Sequence, residues 1–266
     1  MSRTFVSSSF SYFVRTDGSD SNSGLVDSAG GAFKTYGRAM AAVAALDFNN
    51  LTVTVSAGNE SGVKTFAESI VVPQLVGGGQ LVIQGNGSSA NTILSPASGD
   101  GIQGRQVGNT QVNIDKIKIV ASSGNGVQAL GQSSFNIKGV DFGTCDSAHM
   151  SAHDNQATIL VLNNASGLKI SGGASAHLWA QAGAVIFYER NAPVLSGVPA
   201  FSSAFALATA NAYIQASYIN YSGSGATGRK YFANRGGVIT LLVTDPVSDP
   251  FPGDLDGVAD APGYYG

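Results

Sequence analysis

Three apolar positions in this chain recur at one offset. Ile114 and Ile137, Ile117 and Val140, and Ile119 and Phe142 are each 23 residues apart. Laying Val112-Asn113-Ile114-Asp115-Lys116-Ile117-Lys118-Ile119 over Ser134 to Phe142 superposes apolar on apolar throughout. The pattern continues at looser spacing: Val140 to Leu168 is 28, Leu168 to Val194 is 26, and Val194 to Tyr218 is 24. A repeat of this length that carries strands in each unit indicates a solenoid. One coil of strands cannot bury its inward face alone, so coils must stack at about 4.8 Å each. A β-sandwich places strands every 8–12 residues or so, but it does not explain three positions recurring at an identical offset. The expected fold is all-β, a right-handed parallel β-helix, with Ile114, Ile117, Ile119, Ile137, Val140 and Phe142 inside.

Around this repeat the chain divides into three stretches that form one structural unit. Residues 1–50 hold a strand near Ser11–Val14, a turn-rich loop and a helix. Thr35 is a suitable N-cap, and Tyr36, Met40, Val43 and Ala44 fall on one face at the 3.6-residue period, which predicts a helix over 35–46. It is placed to close the open N-terminal end of a solenoid, and Asn49-Asn50 ends it. From Leu51 the period drops to two. Short apolar runs follow at Ile70–Val72, Leu81–Ile83, Val112–Val120, Phe135–Phe142, Thr158–Leu162, Leu168–Ile170, Val185–Tyr188, Tyr213–Tyr221 and Val238–Val243. Asn, Gly and Ser punctuate the gaps, as they do between short strands. The β-helix is expected over 51–244. The remainder, 245–266, holds Pro246, Pro250, Pro252 and Pro262 and reads as an extended tail at the other end.

Composition narrows the function classes. Only 12% of residues are charged and the formal charge is −3, so no basic face for nucleic acid is expected. No apolar stretch approaches the ~20 residues of a membrane span, and Met1-Ser2-Arg3-Thr4 is polar, without the apolar run of a secretory signal. The single cysteine, Cys145, rules out an internal disulfide framework and reads as a packing residue. No phosphate loop, Gly-x-Ser-x-Gly elbow or Cys/His pair appears, so no cofactor and no metal is expected.

Two stretches resemble a known family. Tyr12-Phe13-Val14-Arg15-Thr16-Asp17-Gly18-Ser19-Asp20-Ser21-Asn22-Ser23-Gly24-Leu25, continuing through Gly30-Gly31-Ala32-Phe33-Lys34-Thr35-Tyr36, resembles the entry segment of β-helical tail-fibre and tailspike proteins of bacteriophages and prophages. Gly228-Arg229-Lys230-Tyr231-Phe232-Ala233, Gly236-Gly237-Val238-Ile239, Pro252-Gly253 and Gly263-Tyr264-Tyr265-Gly266 are similar to their closing segment. The matches cover about 60 residues; the departure is Thr240–Asp245, where that family usually has more glycine. The resemblance implies a virion surface protein, usually trimeric, made in the bacterial cytoplasm and exposed on the particle beside other virion proteins. It would contact host surface polysaccharide; some members cut that polysaccharide, and many only bind it.

Two chemistries follow from these expectations. Glycoside hydrolysis needs two carboxylates about 5–10 Å apart. Asp115, Asp141, Asp146, Asp154 and Glu189 lie in the coils, and Asp141 with Glu189, two turns on, is the candidate pair. Asp141 alternates with Val140 and Phe142 and so points outward, where Lys118 one coil earlier makes an ion pair the simpler reading. Binding is the other chemistry. His177 with Trp179 forms a candidate platform for stacking on sugar rings, against the alternative that Trp179 packs under a loop at 172–183. Asp146, His149, His153 and Asp154 sit in a Ser/Ala-rich segment read as a solvated loop able to touch a ligand. His149 and His153 have the helical i, i+4 spacing of zinc sites, but no glutamate stands between them. Asp17, Asp20 and Asn22 suit turn hydrogen bonding better than calcium, because no bidentate glutamate follows. The expected function is therefore a non-enzymatic appendage that binds host glycan, with a polysaccharide-degrading tailspike as the alternative. Weakly charged flanks, the aromatics Tyr213, Tyr218, Tyr221, Tyr231 and Phe232, and a tail bearing Phe251 and Tyr264-Tyr265 suggest a closed symmetric homo-oligomer, and the resemblance to phage fibres implies a homotrimer.

Overall fold

Apolar side chains face inward from strands too short to stand alone, and winding the chain stacks each strand on its counterpart one coil away. The computed structural model describes residues 3–161, 167–241 and 250–266. Among these residues the strands form three long sheets of ten, seven and nine strands, every neighbouring pair parallel. The fold is a parallel β-helix. One coil shows the plan: Gln111–Asp115 lies in the first sheet, Lys118–Ala121 in the second and Val127–Leu130 in the third. The next coil repeats it with Ser134–Ile137, Asp141–Cys145 and Ala148–His153.

The 23-residue offset is the register of these coils. Ile114 pairs with Ile137 and Ile119 with Phe142, while Ile117 and Val140 fill the corner between the first two sheets. All six are buried. The runs at 112–120 and 135–142, expected as single strands, each bend into two. The cause is visible in the spacing: Ile114 and Ile117 are three apart, and both can face inward only if the chain turns between them. Lys116 makes that turn in the left-handed region, at φ 56°, and its carbonyl approaches the preceding coil so closely that a Cβ on Gly85 would lie 1.9 Å from it. Glycine is required there by space.

Further along, two expected repeat positions are corrected. Val194 pairs with Lys169 and with Ser222, not with Leu168 and Tyr218. Both Val194 and Tyr218 are exposed, because Tyr218 turns the corner at φ 51° with its ring outside, under the Arg190 guanidinium.

The third sheet was largely unforeseen. Its inner face carries a column of small residues, Ala129, Ala152, Ala180, Ala208 and Ala233, paired in register and fully buried. Alanine and serine have low strand propensity, so these strands form because neighbouring coils supply their backbone partners.

The helix spans Tyr36–Ala44, two residues shorter than expected at its end, because Leu46–Asp47 pairs instead with Thr4–Phe5. The Thr35 hydroxyl accepts from the Arg38 N–H at 3.0 Å. Glu68 adds a second cap from the first coil, its two oxygens accepting from the Tyr36 and Gly37 N–H groups at 2.9 and 3.0 Å, where the helix dipole favours a carboxylate. Asp20 accepts from the Lys34 and Thr35 N–H groups, so the Asp/Ser/Asn loop does make turn hydrogen bonds. The strand Phe10–Val14 already belongs to the ten-stranded sheet, so the N-terminal stretch is continuous with the solenoid. At the other end, the 244/245 boundary, Leu162, Leu242, Val243 and Pro246 lie outside the described residues. Residues 250–266 run extended and add closing strands: Val258–Ala259 joins the third sheet and Tyr264–Tyr265 the first. Phe251, expected to reach a neighbouring copy, is buried against Phe205 of its own core. Tyr265 stacks on Tyr231 with ring centroids 3.5 Å apart, and Tyr221 packs edge-on to Phe205. Of the aromatics assigned to an interface, Tyr213 and Phe232 lie on outer sheet faces, and Tyr218 is exposed.

Candidate functional site

Strand alternation and register decide which candidates share a surface. In the third sheet, Ser151 pairs with Trp179, Trp179 with Leu207, and Leu207 with Phe232. These side chains form one column on the outer face, with Ala148 and Ala176 packed beneath; Ser151 and Leu207 are buried within it, so Trp179 and Phe232 are its partly exposed members. Trp179 stands half-buried between Ser151 and Leu207, its indole N–H covered and without a hydrogen-bond partner. The guanidinium of Arg229 lies 5.4 Å over the Phe232 ring. Two residues further along each strand runs a polar column, His153, Gln181, Thr209 and Asn234. His153 Nδ1 stands 2.6 Å from Asp154 Oδ1, and Arg105 reaches the same carboxylate at 3.5 Å. The outer face of the third sheet thus sets an aromatic and aliphatic stripe beside hydroxyl, amide, imidazole and carboxylate groups. Trp179 is not under a loop; residues 174–181 are a strand.

The same strand character overturns the reading of 146–154 as a solvated loop. Ala148–His153 is a strand of the third sheet. Asp146 precedes it and Asp154 follows it, so an extended chain of about 3.3 Å per residue holds them at opposite ends. His149 and His153 are not one turn of helix apart: His153 is at the surface and His149 is buried. His177 is buried as well, so neither ring belongs to the outer face with Trp179.

Instead the two imidazoles meet inside the solenoid. His149 Nδ1 lies 3.0 Å from His177 Nδ1, so one ring must donate and the other accept. Both Nε2 atoms are without a partner. Phe142 stacks on His149, and Phe205 lies over His177 with centroids 4.7 Å apart. Burial pushes the His149 pKa down to about 4 and that of His177 well below its ordinary value, with the neighbouring His149 adding to the effect. Both rings are therefore neutral near pH 7. Cys145, also buried, has its thiol pushed up to about 12, which keeps it protonated and suits packing alone.

Asp141 and Glu189 are not brought together as a pair. Asp141 opens a strand of the second sheet, in register with Lys118; its Oδ2 lies 3.6 Å from the Lys118 ammonium, and its Oδ1 accepts from the Ser171 hydroxyl at 2.6 Å. Lys118 also donates to Ser171 at 3.1 Å. The expected ion pair is present, with its carboxylate buried. Glu189 ends a strand of the first sheet and is engaged by the Gln215 amide. Removing a buried partner strands the other charge. Because Lys118 keeps some solvent access, Asp141→Ala is expected to cost about 1–3 kcal/mol of stability, measured by urea unfolding at pH 7.

No family model, curated protein or solved structure matches the chain. The site therefore rests on its own geometry. Sequence reasoning overlooked Ser151, Gln181, Leu207 and Thr209, although one signal points to them. Ala148-His149-Met150-Ser151-Ala152, Ala176-His177-Leu178-Trp179-Ala180 and Ala204-Phe205-Ala206-Leu207-Ala208 recur at a 28-residue offset. Among the described residues, no group of His, Cys, Asp and Glu could hold a metal ion.

Proposed function

We propose that this chain is a structural appendage of a bacteriophage or prophage particle, of the tail-fibre or tailspike kind, which holds host surface polysaccharide without cutting it. The observation that carries this reading is the outward column Ser151–Trp179–Leu207–Phe232 beside the polar column of the third sheet. Sugar rings present apolar C–H faces and hydroxyl edges, and the partly exposed Trp179 and Phe232 rings, flanked by amides and hydroxyls, meet both requirements. The resemblance of both chain ends to phage β-helical proteins supplies the biological setting, with assembly in the bacterial cytoplasm and display on the particle surface. Three copies packed through their weakly charged flanks are part of the same reading, and light scattering after size exclusion is expected to give three times the 27.0 kDa chain mass.

Trp179 is the only tryptophan of the chain, so its fluorescence reports on this face directly. Titration with purified capsule and lipopolysaccharide polysaccharides is expected to shift or quench that emission, and Trp179→Ala is expected to weaken binding, measured by calorimetry, at least about tenfold, equivalent to about 1.4 kcal/mol. New reducing ends or unsaturated sugars in the same mixtures would replace the binding-only reading by the depolymerase alternative.

A further inference from the structure

Where the third sheet turns into the first, a groove of about 320 Å³ opens on the outside of the solenoid. Its lining holds no charged and no apolar side chain. Two hydroxyls are spent on the wall itself: Ser133 donates to the Leu130 carbonyl at 2.8 Å and accepts from the Val107 N–H, and Thr110 donates to the Gly78 carbonyl. Gly108, the Ser134 hydroxyl and four amides, Asn109, Gln111, Gln132 and Gln156, complete the lining. Among the described residues none of these four side chains is hydrogen-bonded to another group of the chain, and Asn109, Gln132 and Gln156 are exposed.

Their placement is periodic. Gln111 pairs with Gln80, Val112 with Phe135, Ser134 with Thr158, and Thr158 with Val185. Counting back two residues puts Gly78, Asn109, Gln132, Gln156 and Gly183 in one column. The amides occupy three successive coils, and glycine bounds them on either side. At about 4.8 Å per coil the column is about 10 Å long.

Each amide offers two N–H donors and a carbonyl acceptor. A charged ligand would find no counter-charge here, and an apolar one would cover the amides without satisfying them. A ligand that donates and accepts at close intervals and carries no charge fits both conditions. We propose that this groove binds a short run of neutral polysaccharide, about two sugar residues lying along the solenoid axis across three coils. The volume falls at the lower end of the roughly 300–1,000 Å³ range of ligand sites. The groove begins three residues beyond His153, so it continues the polar column beside Trp179. The inference names the class of glycan, and it rests on the reading of the solenoid as glycan-binding.

The test uses the full chain at about 0.15 M salt, where surface charge is screened beyond roughly 8 Å. The probes are hexasaccharides of dextran, mannan and galactan, with oligogalacturonate of equal length as the acidic comparison. Binding is read by calorimetry and by the side-chain NH₂ resonances of the ¹⁵N-labelled protein. At least one neutral oligomer is expected to bind more tightly than the acidic one and to shift the Gln132 and Gln156 resonances. The double variant Gln132→Ala, Gln156→Ala, altered only at exposed positions, is expected to lose at least tenfold in affinity. Equal or tighter binding of oligogalacturonate, or unchanged affinity in the double variant, overturns the inference. If a neutral oligomer binds the double variant as it does wild type and Trp179→Ala alone weakens it, the groove assignment fails and the glycan-binding reading stands. If no oligomer binds the wild-type chain while capsule or lipopolysaccharide polysaccharide still shifts the Trp179 emission, the inference fails and the glycan-binding reading stands; if neither binds, both fail.

Discussion

Phe142→Ala is expected to cost the fold about 3–5 kcal/mol, the usual penalty for removing a fully buried aromatic ring from a close-packed core. Phe142 sits at the inner face of the second sheet, in register with Ile119 below and Ile170 above. Its ring stacks on His149 at 5.3 Å and meets His177 edge-on at 5.6 Å. Truncation therefore removes contacts to both neighbouring coils and to the imidazole pair at once. The hole cannot refill easily, because backbone hydrogen bonds hold the coils at a set spacing. Urea unfolding followed by circular dichroism is the measurement. An alanine or lysine variant as stable as wild type would show that the inward register is wrong.

Acid is expected to loosen the same region. His149 and His177 are neutral when folded, and in the unfolded chain each titrates near 6.5. A depressed folded pKa means that the unfolded state binds more protons between the two values, so stability rises with pH through that window. It is fully present above about pH 6.5 and is lost as the pH falls toward about 4, the folded value for His149. The full slope of about 1.4 kcal/mol per pH unit is reached only below the unfolded value, so moving from pH 6.5 to 5 is expected to remove about 1.5 kcal/mol through His149, with His177 acting in the same direction. Among the described residues the rings packed around the two imidazoles are Phe142, Tyr188, Phe201 and Phe205, the nearby Cys145 thiol stays protonated, and only the Gly143 and Gly173 backbone opposes the shift at His149. Unfolding curves at pH 7, 6 and 5 test the effect. The variant His149→Phe, His177→Phe extends the column in which Phe205 already stands, and it is expected to flatten the dependence across this window. An equally steep dependence in that variant would assign the acid sensitivity to other groups.

Much of the first two sheets was legible because their inward positions are large and branched. Val112, Ile114, Ile117 and Ile119 announce both the period of two and, through the step of three, the corner. The helix was legible from Thr35 and its apolar face, although Glu68, its second cap, lies 32 residues from Tyr36 and no local pattern connects them. The candidate site was legible only in part. Trp179 stood out as a lone large aromatic. Its neighbours Ser151 and Leu207 did not, because they lie one coil away in either direction and are ordinary residues by themselves. His177 was misplaced for a related reason: strict alternation puts His177 and Trp179 on one face, whereas the consecutive residues His177 and Leu178 are both buried, so the alternation breaks between them.

What the sequence by itself determined is the coil repeat, the burial of the Ile/Val/Phe positions and the capped helix before the coils. These follow from hydrophobic periodicity and capping chemistry, which act over a few residues or recur at a constant offset. Only the tertiary structure decided that the Ala/Ser-rich stretches at 148–153, 174–181 and 200–209 are strands, and that Trp179 shares a face with Leu207 and Phe232. Those segments have little strand preference of their own. They become sheet because coils above and below, 23 to 28 residues away, offer a parallel row of N–H and C=O groups, and a buried backbone must use such partners.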